Sequence, residues 1–205
     1  MDDGVGRIVQ TVRRLGLQRR TLIVFCSDNG PARPGSAGPL RGKKGSLWEG
    51  GHRVPGMACW PGKIPPGTTS DETILGMDLY ATMAAAAGAD LPAGLKLDGV
   101  SILPVLTGKG KLPERTLFWR TARQRAVRKS SWKLVVSKAG GRKRARKPDK
   151  QKPFAGRDTV ELFNLAADLG EKTNLADKHP DRVRQLRAEL AAWEKQVSEG
   201  VTKRT

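Results

Sequence analysis

The sequence predicts an α/β chain in two parts: a helix-and-strand portion over residues 1–116 and a smaller α+β portion over 117–205. Three patterns carry that expectation. Val5, Ile8, Val9, Val12 and Leu15 recur at helical spacing and lead into the short apolar run "TLIVFC". From Leu117 on, "TLFWRT", "RAVRKSSWKLVVS" and "VELFNL" are short aromatic and β-branched runs between polar turns, the pattern of an antiparallel sheet. Last, Val183, Leu186, Leu190, Trp193 and Val197 form one apolar helical stripe.

Each element follows from local chemistry. Residues 2–16 read as an amphipathic helix stopped near Gly16. "TLIVFC", rich in β-branched residues, reads as a strand buried on both faces, as in a parallel sheet, with Cys26 packed as a small apolar residue. Cys59 sits in a similar setting, so both thiols are expected reduced and packed. Gly30 to Gly51 is too rich in glycine and turn residues for a helix, and loops of that length are usually functional or disordered. "VPGMACWPG" resumes as a short extended segment. "MDLYATMAAAAG" is a helix with an alanine-rich packing face, stopped at Gly88. The stripe ending at Val197 packs on the small sheet; it is too short to argue for a coiled-coil partner.

Charge narrows the partners. The 205 residues carry 38 Lys and Arg against 20 Asp and Glu, a net +18, which favours anionic partners. Much of the excess lies in "RKRARKPDKQK", Arg142 to Lys152, with seven basic residues and one acid. A solvated loop is the plain reading of 142–152, and a polyanion docking strip the sharper one. With no aromatic residue in that run to stack a base, single-stranded nucleic acid is disfavoured. Every long apolar run is broken by Gly, Pro or charge, so no membrane span is expected. The first residues have no secretory-signal shape.

The chemistry concentrates in two stretches. In "SDNG", Asp28 and Asn29 stand at the carboxyl end of the "TLIVFC" strand, where open α/β sheets bind ligands. A turn alone would explain the motif. One carboxylate and one amide carbonyl are also hard oxygen donors suited to Ca²⁺ or Mg²⁺, which need further ligands. In "GPLRGKKGSLWEGGHRVP", glycines permit tight turns and close approach to an anion, and Lys43 and Lys44 offer compact charges for a sulfate or phosphate oxygen. The spacing is not that of a P-loop.

The order and spacing of "DDGVGRI", "TLIVFCSDNG", "GPLRGKKGSLWEGGHRVPGMACWPGKIPPGTTSDE", "MDLYATMAAAAG" and "LDGVSILPVLTG" resemble the type I sulfatases, the arylsulfatase family. "WKLV" and "ELFNLAADLGEKTNLADKHPD" resemble the tail of the same family, so the likeness runs through nearly the whole chain. The resemblance implies a partial alkaline-phosphatase-like sandwich with a small C-terminal antiparallel sheet plus helix. It makes Asp28 and Asn29 ligands of a divalent cation, usually Ca²⁺, and Lys44 rather than Lys43 the catalytic, sulfate-contacting lysine. It implies hydrolysis of a sulfate ester, possible substrates including a sulfated polysaccharide, in which a formylglycine hydrate attacks sulfur and expels the alcohol.

The formylglycine precursor, a Cys or Ser in C-x-[PA]-[SA]-R, is absent from this sequence. Cys26 and Cys59 lack that context, and His52 and His179 do not match the family's histidines. His52 is expected to pack in its loop or at the rim. The chain thus resembles the C-terminal portion of a sulfatase, with a missing N-terminal half as its implied partner and incomplete catalysis on its own. Family members are often periplasmic or secreted, and any signal would lie upstream. Two alternatives remain at this point: a non-catalytic polyanion-binding protein, and a phosphatase or phosphonate hydrolase of the same superfamily.

Overall fold

The computed structural model describes residues 1–138 and 158–199. The basic run 142–152 lies outside them. The chain forms two compact units. Unit 1 comprises residues 1–26 and 55–113; unit 2 comprises 27–54 and 114–205. The segment Ser27–Val54 therefore packs with the C-terminal sheet, although in sequence it interrupts unit 1.

Unit 1 opens with α1 (Asp2–Arg14), whose acids at the start and arginines at the end complement the helix dipole. Gly16, at φ +67°, lets the chain turn out of it, as the sequence predicts. Strand β1 (Ile23–Cys26) pairs with β2 (Gly56–Cys59), Ile23 opposite Cys59 and Cys26 opposite Gly56. Here the structure corrects the sequence reading. The pair is antiparallel, β1 is only half-buried, and Cys26 and Cys59 are both exposed. An apolar run is buried on two faces only where neighbours cover both, and among the described residues β2 is the one strand beside β1.

Helix α3 (Asp78–Ala87) ends at Gly88 in the left-handed region, as expected. Its alanine face is not the packed one: only Asp78 and Thr82 of this helix are buried. Both side chains serve as struts. Asp78 accepts the Leu75 and Val100 amides at 2.7 and 3.0 Å. Thr82 accepts the Ile102 amide at 3.0 Å, which anchors the segment leading into α4 (Leu103–Leu106).

Unit 2 is built on a four-stranded antiparallel sheet in sequence order: β3 (Thr116–Arg120), β4 (Gln124–Lys129), β5 (Trp132–Ser137) and β6 (Thr159–Asn164). Its two faces have different covers. Against one lies α5 (Pro180–Glu199), which buries Leu186 and Leu190 on Val127, Leu134, Val136 and Leu162. Trp193 of α5 stacks on Phe118 with ring centroids 5.1 Å apart. The apolar stripe read from the sequence is thus a packing face. Against the other face, Leu47 and Trp48 pack on Ala126, Val135, Phe163 and Leu165. A glycine-rich loop replaces a second helix as the lid of that face.

Candidate functional site

The loop that covers the sheet carries all three residues the sequence singles out, and its backbone bonds hold it in one shape. The Gly30 amide donates to the Gly51 carbonyl at 2.9 Å, and the Lys44 amide to the Pro31 carbonyl at 3.1 Å. These two bonds stitch the S-D-N-G turn to the lysine turn. The Gly50 amide donates to the Arg41 carbonyl at 2.7 Å, drawing the ends of R-G-K-K-G-S-L-W-E-G-G together. A Cβ at Gly51 would overlap the Ser46 carbonyl, so the second glycine of E-G-G is required for this close approach.

Lys43 and Lys44 occupy a tight turn closed by Ser46. The Ser46 hydroxyl donates to the Lys43 carbonyl at 2.8 Å and accepts the Lys43 amide at 3.2 Å. Gly45, at φ +87°, supplies the left-handed step that most side chains resist. Lys44 is exposed at this turn. Asp28 is exposed and Asn29 half-buried, with the Ser27 hydroxyl donating to the Asn29 carbonyl at 2.9 Å.

The donor chemistry of Asp28 and Asn29 suits a hard cation, but two donors do not complete a shell that takes about 6 to 8 oxygens for Ca²⁺. Among the described residues no group of three His, Cys, Asp or Glu side chains is placed to hold a metal ion.

Behind the loop lies a buried charge cluster that the sequence reading did not single out. Lys133 on β5, Glu49 at the start of the short helix α2 (Glu49–His52), and Glu171 after β6 are all within 1% of fully buried. The Lys133 Nζ lies 2.8 Å from Glu49 Oε1 and 3.0 Å from Glu171 Oε1. The first contact is a hydrogen bond; the second reaches ion-pair distance without hydrogen-bond geometry and is coulombic. Glu171 closes the triangle by accepting the Glu49 amide on Oε2 at 2.6 Å. Glu171 sits at φ +52°, a conformation costly for a residue with a Cβ. Arg128 and Arg53 flank Glu49 Oε2 at 3.8 and 3.5 Å.

This cluster ties three distant stretches of chain. Burial alone would raise the Glu49 pKa, but Lys133, His52 and Arg128 outweigh it and hold the carboxyl below its usual range. Burial raises that of Glu171, against the pull of Lys133. His52 is pushed down to about 4, first by burial and then by the Lys133 charge, so its ring is neutral at pH 7. Its Nε2 lies 3.2 Å from both the Leu47 carbonyl and Lys133 Nζ, and its ring stacks on Trp119 at 4.8 Å. His52 is therefore loop packing, as the sequence predicts. A separate contact pins the lysine turn from its other side: Arg41 stacks over Trp48, pairs with Glu161 at 2.9 Å and donates to the Glu171 carbonyl at 3.1 Å.

A signal for the cluster is present in the sequence. Lys133 interrupts the apolar run W-K-L-V-V at a position facing the sheet's loop-covered side, where Ala126 and Val135 also point. A charge at a core register position needs partners. Glu49 and Glu171 are 84 and 38 positions away in sequence, so spacing could not identify them.

By sequence and by fold the chain resembles the sulfatases. The family model described as Sulfatase matches residues 1–89. Bovine (Bos taurus) arylsulfatase A is 38% identical over 192 residues, covering 86% of this chain and 38% of that protein. Human (Homo sapiens) arylsulfatase A is 44% identical over 124 residues, covering 58% of this chain and 24% of that protein. Among solved structures, the crystal structure of Ps i-CgsB in complex with k-i-k-neocarrahexaose superposes with a TM-score of 0.76 at 29% identity, covering 94% of this chain and 40% of that one. The PsFucS1 sulfatase from Pseudoalteromonas sp. gives 0.73 at 26% identity, over 96% of this chain and 41% of that one. The fold expected from the sequence, a partial alkaline-phosphatase-like α/β architecture with a small antiparallel sheet plus helix, is the one these chains share. The chain spans about two fifths of the length of the bovine relative and of both solved structures.

Proposed function

We propose that this chain supplies the sulfate-facing loop and two cation ligands of a sulfuric ester hydrolase. Lys44 contacts the sulfate, and its ammonium stabilises charge on the sulfate oxygens as the ester bond breaks. Asp28 and Asn29 give two oxygens to a divalent cation, Ca²⁺ by preference, whose remaining donors come from outside these 205 residues. When bound, such a cation neutralises and orients the sulfate oxygens. The formylglycine-bearing segment is likewise not in this sequence, and the isolated chain is inactive. In this reading 1–116 is the C-terminal part of the catalytic α/β domain and 117–205 its C-terminal subdomain.

The observation that carries the reading is the pair of backbone bonds, Gly30 to Gly51 and Lys44 to Pro31, that join the S-D-N-G turn to the lysine turn in a chain that resembles the sulfatases. A sulfated saccharide is the proposed substrate class; k-i-k-neocarrahexaose in the Ps i-CgsB complex supports a saccharide.

The test joins residues 1–205 to the sequence encoded upstream of Met1 and follows p-nitrophenyl sulfate hydrolysis with Ca²⁺. The joined protein turns over, residues 1–205 alone do not, and Lys44→Ala lowers kcat/KM by about 10²–10³-fold. Unchanged activity in Asp28→Ala would refute the cation assignment. Faster turnover of the phosphate ester would move the assignment to a phosphatase.

A further inference from the structure

We infer that the end of the C-terminal sheet near α5 holds a docking groove for an anionic polysaccharide, separate from the Lys44 loop. The groove, about 620 Å³, lies on the α5 side of the sheet, whereas the Lys44 loop covers the opposite side. Strand pairing builds its basic wall. Arg120 stands opposite Arg125 across the β3–β4 hairpin, and the Lys138 amide donates to the Arg123 carbonyl at 2.9 Å just past the end of β5. Lys195 adds a fourth cation from α5, against the two acids Glu194 and Glu199 in the same lining.

These cations are loosely held. Arg125 lies 3.6 Å from Glu194 and 3.8 Å from Asp158, Lys195 lies 3.8 Å from Glu199, and Arg120 lies 3.5 Å from the Ser198 hydroxyl. The Lys195–Glu199 pair is exposed and the Arg125 pairs are half-buried, and at such distances each is worth little and opens to an incoming anion. By contrast, Lys133 at 2.8 Å from Glu49 is buried and committed.

The same lining selects the partner. Among the described residues it holds no aromatic side chain on which a base could stack. Glu194 and Glu199 would repel an unbroken run of phosphates, but they accept hydrogen bonds from sugar hydroxyls, and the Ser198 hydroxyl adds a donor. Anions spaced along a hydroxyl-rich chain meet both demands. The connection that follows Lys138 carries the basic run 142–152, which raises the potential attracting any polyanion but is not counted in the groove. Docking needs no turnover, so it stands or falls apart from the sulfatase reading.

The test measures binding of the whole chain to heparin, to a double-stranded DNA oligonucleotide of matched charge and to neutral dextran at several salt concentrations. Two variants accompany the parent: Arg120→Glu with Lys138→Glu, and one with the seven basic residues of 142–152 changed to Gln. Arg120 and Lys138 are both exposed, so the double variant spares the buried core, and circular dichroism checks the fold of both variants. The groove predicts heparin binding stronger than DNA binding, no dextran binding, and a loss of about tenfold or more in the double variant. It also predicts that the double substitution still weakens binding when made in the Gln background. Parent-like heparin affinity in the double variant, or DNA binding tighter than heparin at the same salt, would overturn it.

Discussion

The two units differ most in what they bury. Unit 2 contributes twelve of the thirteen buried apolar side chains among the described residues, and unit 1 contributes one, Ile102. Unit 1 meanwhile leaves Ile8, Met57 and Tyr80 between 58 and 62% exposed. Apolar surface returned to water costs about 25 cal/mol per Å², so stability is concentrated in unit 2. The candidate loop, though flanked in sequence by unit 1, rests on the better-packed unit. Its rigidity is borrowed from a sheet that begins more than sixty residues downstream, through Glu49, Lys133 and Glu171.

The sharpest way to break this contrast is Lys133→Met. It strands two buried carboxylates, and the expected loss is about 3–5 kcal/mol in urea unfolding. Removing all three charges together, with Glu49→Gln and Glu171→Gln added, costs less than the single change, because no uncompensated ion remains. Leu186→Ala removes the centre of the α5 contact and lowers stability by about 2–5 kcal/mol.

His52 sharpens the comparison through pH. Its free ring protonates near 6.5 and its folded ring near 4, so between those values the unfolded chain binds the extra proton. Stability contributed by neutral His52 is present above pH 6.5 and is lost as pH falls toward 4, by up to about 3 kcal/mol. Urea midpoints measured across that window should slope downward in the parent and flatten in His52→Phe, which keeps a ring against Trp119. The smallest effect belongs to unit 1. Met83→Ala, on the exposed side of α3, should change stability by less than about 0.5 kcal/mol.

Periodicity made the sheet, α1, α3 and α5 legible, because each is a local pattern that its own neighbours satisfy. The S-D-N-G turn and the lysine loop were legible as motifs, and their juxtaposition follows from the backbone bonds Gly30 to Gly51 and Lys44 to Pro31. The burial of β1 was not legible: an apolar run reports what a strand can pack against, and here one antiparallel neighbour leaves Cys26 exposed. The Glu49–Lys133–Glu171 cluster escaped because its members lie far apart in sequence, and two of them sit among turn residues where a surface charge is the ordinary reading.

Hydrogen–deuterium exchange on the whole chain tests most directly whether the candidate loop belongs to the C-terminal sheet. The account predicts that the amides of Gly30, Lys44, Gly50 and Gly51 exchange slowly together with those of β4, β5 and β6, while α1, β1, β2 and α3 exchange faster. Loop amides that exchange as fast as α1 while the sheet stays protected would contradict it.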